Sequence, residues 1–136
     1  MAYNLDKLAA FFDDRGPLLK GLKQTTYEIR TAEFADKFGA EVQGLMSEGE
    51  SGAESFAGIV RDKYTKRGKI PANTMMDLNL MMVYYVFPYL LKKGEEGQSF
   101  AAVLKDKWNG VLGCNISYTT YEELHAGFKK RLFGMF

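Results

Sequence analysis

The stretch Thr74–Leu91, TMMDLNLMMVYYVFPYLL, decides the fold, because it is apolar on every side. From Leu78 onward only Asn79 lacks a substantial apolar body, and the run closes on Lys92, Lys93 and Gly94. Cations followed by glycine are the usual exit of a helix: they complement its negative end, and glycine accepts the left-handed turn that stops it. At the other end Thr74 is expected as the N-cap, with Asp77 three places on completing a capping box. A helix without a polar face belongs inside a larger protein or inside a membrane. Leu78 to Leu91 falls short of the ~20 residues needed to cross hydrocarbon, so burial in a protein core is expected.

Two residue patterns complicate this helix. Pro88 lacks the N–H that would bond the carbonyl of Tyr84, which predicts a kink, or a split into two segments, at that turn. Val83-Tyr84-Tyr85-Val86-Phe87 also has strand-like composition. The expected fold is therefore all-α, a single domain over residues 1–136 with five to six helices packed around a buried central helix at about 74–91, kinked at Pro88. The alternative is an α+β domain in which Val83 to Phe87 pairs as a strand.

Upstream of the central run, Leu5, Leu8 and Phe12 recur at helical spacing behind Asn4, a good cap, and Gly16-Pro17 ends that short helix. Leu18, Leu19 and Leu22 form a patch out of line with the next apolar stripe, which places a break near Gln24. Thr25 and Glu28 are the ends of a second capping box. The stripe behind it is Tyr27, Phe34, Phe38, Val42 and Leu45, spaced seven, four, four and three apart. Gly39 and Gly44 weaken this helix, and Ser47 to Gly52 (SEGESG) reads as a loop. Phe56, Ile59, Val60 and Tyr64 mark a third helix over about Glu54 to Arg67, ended by Gly68 and kept from resuming by Pro71.

Downstream of the central run, Ser99 is expected to cap a helix carrying Phe100, Val103, Leu104 and Trp108, broken at Asn109-Gly110 and Gly113. Val111 to Tyr118 reads as irregular or as a short extended piece. A last helix, from Thr119-Thr120 to about Phe133, carries Tyr121, Leu124, His125, Phe128 and Leu132. Its opening, TTYEELHAGF, echoes TTYEIRTAEF at Thr25 to Phe34. Two independent capping boxes, each followed by an aromatic pair seven residues apart, account for the echo. The sharper account is that both helices dock Tyr and Phe on the central run in equivalent ways.

Composition bounds the function. A chain of 136 residues, 46% hydrophobic and 26% charged, is globular in character, not disordered. Seven methionines and 14% aromatics favour a core of large, adaptable side chains. A net charge of +1 gives no global field toward nucleic acid or anionic lipid. One cysteine, Cys114, cannot form an internal disulfide, and the N-terminus shows no signal-peptide pattern, so the cytoplasm is the expected location and a membrane partner is not.

No catalytic set is complete, and an enzyme is not expected. His125 is the only histidine. Glu122-x-x-His125 has the spacing of di-iron carboxylate bundles, but such a site needs the pair twice plus two further carboxylates, so no metal and no cofactor is expected. Cys114 and His125 lack an orienting third group for a nucleophile and its base. Asp13-Asp14, Glu95-Glu96 and Glu122-Glu123 are sequence neighbours that diverge on a helix, so they read as caps or solvated charge. Neither a phosphate-binding loop nor a dinucleotide fingerprint is present.

Three functional readings remain. The leading one is a non-enzymatic protein-interaction module that associates with itself or with another protein, since methionine and aromatics exceed what a small core needs. The second is binding of a small apolar ligand in a Met- and aromatic-rich core pocket, with Asn79, Met82, Tyr84, Tyr85 and His125 as candidate residues. The third is non-specific nucleic-acid binding through the basic patch Arg61, Lys63, Lys66, Arg67 and Lys69. A helix-turn-helix is excluded as its form: the helix after the patch is the apolar run, and the last helix opens on Glu122 and Glu123.

Overall fold

A computed structural model describes residues 4–15 and 27–116, with the backbone alone for 27–30. These residues are mostly helical and form no strand. Helix α1 spans Leu5–Ala10 and tightens into a 3-10 turn at Phe11–Asp13; α2 spans Tyr27–Tyr64; α3 spans Ala72–Met81. A π-helical turn, Met82–Val86, joins α3 to α4, Phe87–Leu91, and α5 spans Glu95–Leu112. The all-α reading stands, and the strand alternative at Val83 to Phe87 is corrected: those residues are π-helical and α-helical.

At the start, Asn4 caps α1 as expected, its Oδ1 accepting from the N–H groups of Asp6 (2.9 Å) and Lys7 (3.2 Å). The 3-10 turn then sends two consecutive phenylalanines in different directions. Three residues per turn separate neighbours by about 120°, wide enough for both to enter the core. Phe11 meets Phe34, Phe38 and Tyr85 edge-on at 5.1–5.5 Å between ring centroids. Phe12 lies against Phe56 (6.1 Å) and Trp108 (5.7 Å). All of Phe12, Phe56 and Trp108 are fully buried. A strap continues from here: Asp13 accepts from Lys63 Nζ (2.8 Å) and Tyr64 Oη (2.7 Å), and Arg15 stacks over the Tyr64 ring at 5.0 Å.

The loop expected at Ser47 to Gly52 is not there. Within α2 two helical segments meet there at a kink, where Gly49 alone (φ 61°, ψ −136°) leaves helical geometry for a backbone conformation that a Cβ would disfavour, so the expected break is one residue long. The flanking serines, which made the segment look like a loop, turn inward on the helix: Ser47 Oγ donates to the Gly44 carbonyl (2.6 Å) and Ser51 Oγ to that of Glu48 (3.0 Å). Lys107 of α5 holds the far side of the break through Glu50 (2.9 Å) and Glu54 (3.6 Å). The most extensive helix–helix contact in the described residues is between α2 and α5.

The cap of α3 is also corrected. Pro71, with φ −55° and ψ 144°, is the N-cap, Thr74 lies inside the first turn, and no capping box forms. The φ of Pro71 already suits a helix and only its ψ is extended, and its missing N–H would have been unpaired there in any case. Asp77 instead approaches Arg15 Nε at 4.0 Å. The discontinuity expected at Pro88 sits one turn earlier. The Phe87 N–H bonds the Met82 carbonyl, five residues back, and this wider turn absorbs the hydrogen bond that proline cannot make.

Burial along Thr74 to Leu91 is uneven. Leu78, Met81 and Met82 are fully covered, and every residue from Tyr84 to Leu91 is buried. Met75, Asn79, Leu80 and Val83 are half-buried, and Met76 is 63% exposed. The first half of the run is thus an amphipathic helix whose second face is also apolar.

After α4 the chain reverses over Lys92 and Lys93, with Gly94 as the N-cap of α5; the expected cap, Ser99, lies one turn inside. Glu95 and Glu96 occupy the first turn, where the helix dipole favours carboxylates. Gly97 makes this reversal sterically possible, because a Cβ there would stand 1.8 Å from the Leu90 carbonyl oxygen. Asn109-Gly110 does not break α5, which ends at Gly113 with φ 71°.

Candidate functional site

The exposed apolar face of α3 forms the wall of an open groove of ≈ 540 Å³, lined by Ala72, Met75, Met76, Asn79, Leu80, Val83, Tyr84 and Ile116. Its helical side follows from spacing. Residues 72, 75, 76, 79, 80 and 83 are three and four apart, so they share one face, opposite the core-facing Leu78, Met81 and Met82. The π turn then rotates Tyr84 into the same groove. Its neighbour Tyr85 turns the other way and lines a separate cleft with Phe11, Phe34 and Phe38.

At the groove's inner wall lies a polar cluster that the sequence reading missed. Trp108, fully buried, donates its Nε1–H to Asn79 Oδ1 at 2.8 Å. Cys114 Sγ lies 3.5 Å from the same oxygen and 3.4 Å from Asn109 Oδ1. Asn109 in turn pairs with the backbone of Ile116 in both senses, accepting from its N–H (3.0 Å) and donating to its carbonyl (2.9 Å). Asn109 thus imitates a backbone partner for the residues after α5. The sequence signalled only that a buried indole N–H needs an acceptor; the acceptor, Asn79, lies 29 residues from Trp108.

The cluster also fixes the chemistry of Cys114. Burial pushes its thiol above the ordinary cysteine value, partly offset by the hydrogen bond to Asn79 and those to the neighbouring backbone. A raised pKa lowers the thiolate fraction, and the thiolate is the nucleophile.

The candidate ligand residues are therefore separated. Asn79 and Tyr84 face one groove, Tyr85 faces another cleft, Met82 is fully buried in the core, and His125 lies outside the described residues. So does the Glu122-x-x-His125 pair, and so do Thr25, Tyr121 and Phe128 of the echoed motif. Of its aromatics only Phe34 can be followed, and it meets Tyr89 of α4 at 5.5 Å. Among the described residues no three His, Cys, Asp or Glu side chains converge to hold a metal, and no helix is long and apolar enough to cross a membrane.

The basic patch divides as well. The third helix expected from the sequence ends at Tyr64, short of Arg67. Lys66 to Lys69 then make a tight turn with Arg67 (φ 55°) and Gly68 (φ 85°) at its tip, closed by Lys66 N–H to Lys69 O (2.7 Å) and Lys69 N–H to Lys66 O (3.3 Å). Arg61 pairs with Asp62 (3.0 Å) and Lys63 with Asp13 (2.8 Å), whereas no ion pair among the described residues reaches Lys66, Arg67 or Lys69.

Set against known proteins, the chain matches no family model, no curated protein and no solved structure.

Proposed function

We propose that the protein is a non-enzymatic helical interaction module, and that it associates with a second copy of itself through the apolar face of α3. The observation that carries this reading is the pairing of a groove lined by Met75, Leu80 and Val83 with a Met76 that is 63% exposed. An apolar face that the other described residues leave open is the usual surface of a docking site. Methionine suits it, because an unbranched thioether adapts to the surface it meets. The π turn at one end supports the same reading, since such turns concentrate at functional positions. Over residues 1–136 we place five to six helices around residues 74–91, a reading supported by the burial of Leu78, Met81, Met82 and 84–91.

The test is sedimentation of the full chain with Met76→Asp and Leu80→Asp. A charge at either position should convert dimer to monomer while leaving the helical circular dichroism unchanged. A wild-type chain that stays monomeric at high concentration overturns the reading.

A second reading, a small apolar ligand in the same groove, is favoured by its volume and by the polar Asn79 and Tyr84 at its wall. The groove is open along one side, which suits a broad partner surface better than an engulfed small molecule. Mass spectrometry of an extract of the purified protein decides between them: a stoichiometric retained molecule favours the ligand.

A further inference from the structure

The turn Lys66–Lys69 breaks two local rules at once. Its two mutual backbone hydrogen bonds, 2.7 and 3.3 Å, make Lys66 and Lys69 a directly opposed pair. Opposed residues of that kind have Cα atoms about 5.5 Å apart and send their side chains to the same face, so two like charges stand side by side, which is destabilising. Arg67 holds φ at 55°, in the left-handed region where a Cβ is unfavourable and where such turns ordinarily place Asn, Asp or Gly. All three cations are exposed, and the nearby acids are engaged elsewhere, Asp62 with Arg61 and Asp13 with Lys63. Local choices that each cost stability, gathered on one exposed turn, point to a role other than folding.

We propose that this turn is a polyanion-binding site and that its ligand is the phosphodiester backbone of a nucleic acid, bound without regard to base sequence. Charge density selects that ligand. Three cations confined to four residues suit a continuous run of anions, and each strand of duplex DNA carries one phosphate per about 3.4 Å of axis. The tip, Arg67-Gly68, carries no aromatic or aliphatic wedge of the kind that seats a protein in a lipid interface. Arg67 supplies the forked donor that grips a phosphate in two places, and the lysines act as point charges on either side. The site is independent of the α3 groove and does not rest on the association proposed above.

Fluorescence anisotropy of a labelled mixed-sequence duplex, titrated with the full chain at several salt concentrations, tests it. Three neutralised phosphates predict a slope of log K against log salt near −0.9 for each, hence roughly −2.7, so affinity falls about 200-fold between 20 and 150 mM salt. Arg67→Gly should reduce the slope to roughly −1.8 while raising the melting temperature, because glycine accepts the left-handed turn. Lys69→Glu should pair with Lys66, keep or raise the melting temperature, and weaken binding most. A merely structural turn would instead lose stability and leave any binding unchanged. Absence of binding at 20 mM salt, slopes unaffected by both variants, or binding to phosphatidylserine vesicles but not to the duplex each overturns the proposal.

Discussion

Replacing Gly97 with alanine sets a methyl carbon 1.8 Å from the Leu90 carbonyl oxygen, 2.9 Å from the Leu90 carbonyl carbon and 2.8 Å from Lys93 Cβ. Two of these atoms are backbone, so no side chain can swing away to make room. Restoring an ordinary contact of about 3.4 Å requires α4 and the first turn of α5 to separate by roughly 1.6 Å. Gaps of 0.5–1 Å already forfeit a quarter to a half of a dispersion contact. The separation would loosen Leu90, Leu91, Phe100 and Ala101, all buried, so the loss should reach about 3 kcal/mol, the upper end of overpacking costs. For a chain of this length that is roughly a 10 °C fall in melting temperature. Gly110 is the control: it lies in the same helix, and a methyl added there would find nothing within 4 Å, so Gly110→Ala should stabilise by roughly 0.5–1 kcal/mol through helix propensity alone. Thermal and urea unfolding followed by circular dichroism and Trp108 fluorescence measure both. If Gly97→Ala falls within about 0.5 kcal/mol of the parent, the close approach of α4 and α5 is refuted.

Three further outcomes rest on side-chain contacts elsewhere in the fold. Asn79→Leu strips the acceptor from the fully buried Trp108 indole and should cost about 1–3 kcal/mol in urea unfolding, with a shift in Trp108 emission; an unchanged midpoint would show that the indole has another partner. Glu41 is buried against Lys7 at 2.9 Å, and that hydrogen bond, opposed by burial, holds its carboxyl below the ordinary 4.5. Its contribution is therefore complete at neutral pH and is lost as pH falls from about 4.5 through the lower folded value. Lys7→Met should remove that part of the acid sensitivity by lowering the neutral-pH melt toward the acid value, because the stabilisation present at neutral pH goes with the hydrogen bond. The Cys114 thiol should react with a disulfide probe at pH 7.5 more slowly than glutathione, and faster in urea; equal rates in the native protein would contradict its burial.

How far the sequence carried depends on the residue. The helical identity of Leu78 to Leu91 was legible because apolar residues, flanking cations and glycine all agreed. The Asn4 cap was legible for the same local reason. Ser47 to Gly52 misled, because serine and glycine signal a loop only where their side chains are not bonded back into a helix, and Ser47 and Ser51 are so bonded. Thr74 and Ser99 looked like caps, yet Pro71 and Gly94 start those helices through backbone geometry, which a side-chain signature does not record. The candidate site was legible only in composition. Methionine and tyrosine marked the helix that lines the groove, but a one-residue change of register in the π turn decides that Tyr84 faces the groove and Tyr85 the Phe11 cluster. The Asn79–Trp108 bond spans 29 residues, and no local pattern encodes a pairing at that range.

Native mass spectrometry of the full chain as purified, beside Met76→Asp, bears most closely on self-association through α3. A dimer built on that face predicts an ion at twice the chain mass for the parent, with no bound small molecule, and a single-chain ion for the variant. A parent that flies as a single chain at micromolar concentration, or a dimer that Met76→Asp leaves intact, would contradict the assignment of the α3 face as the surface of association.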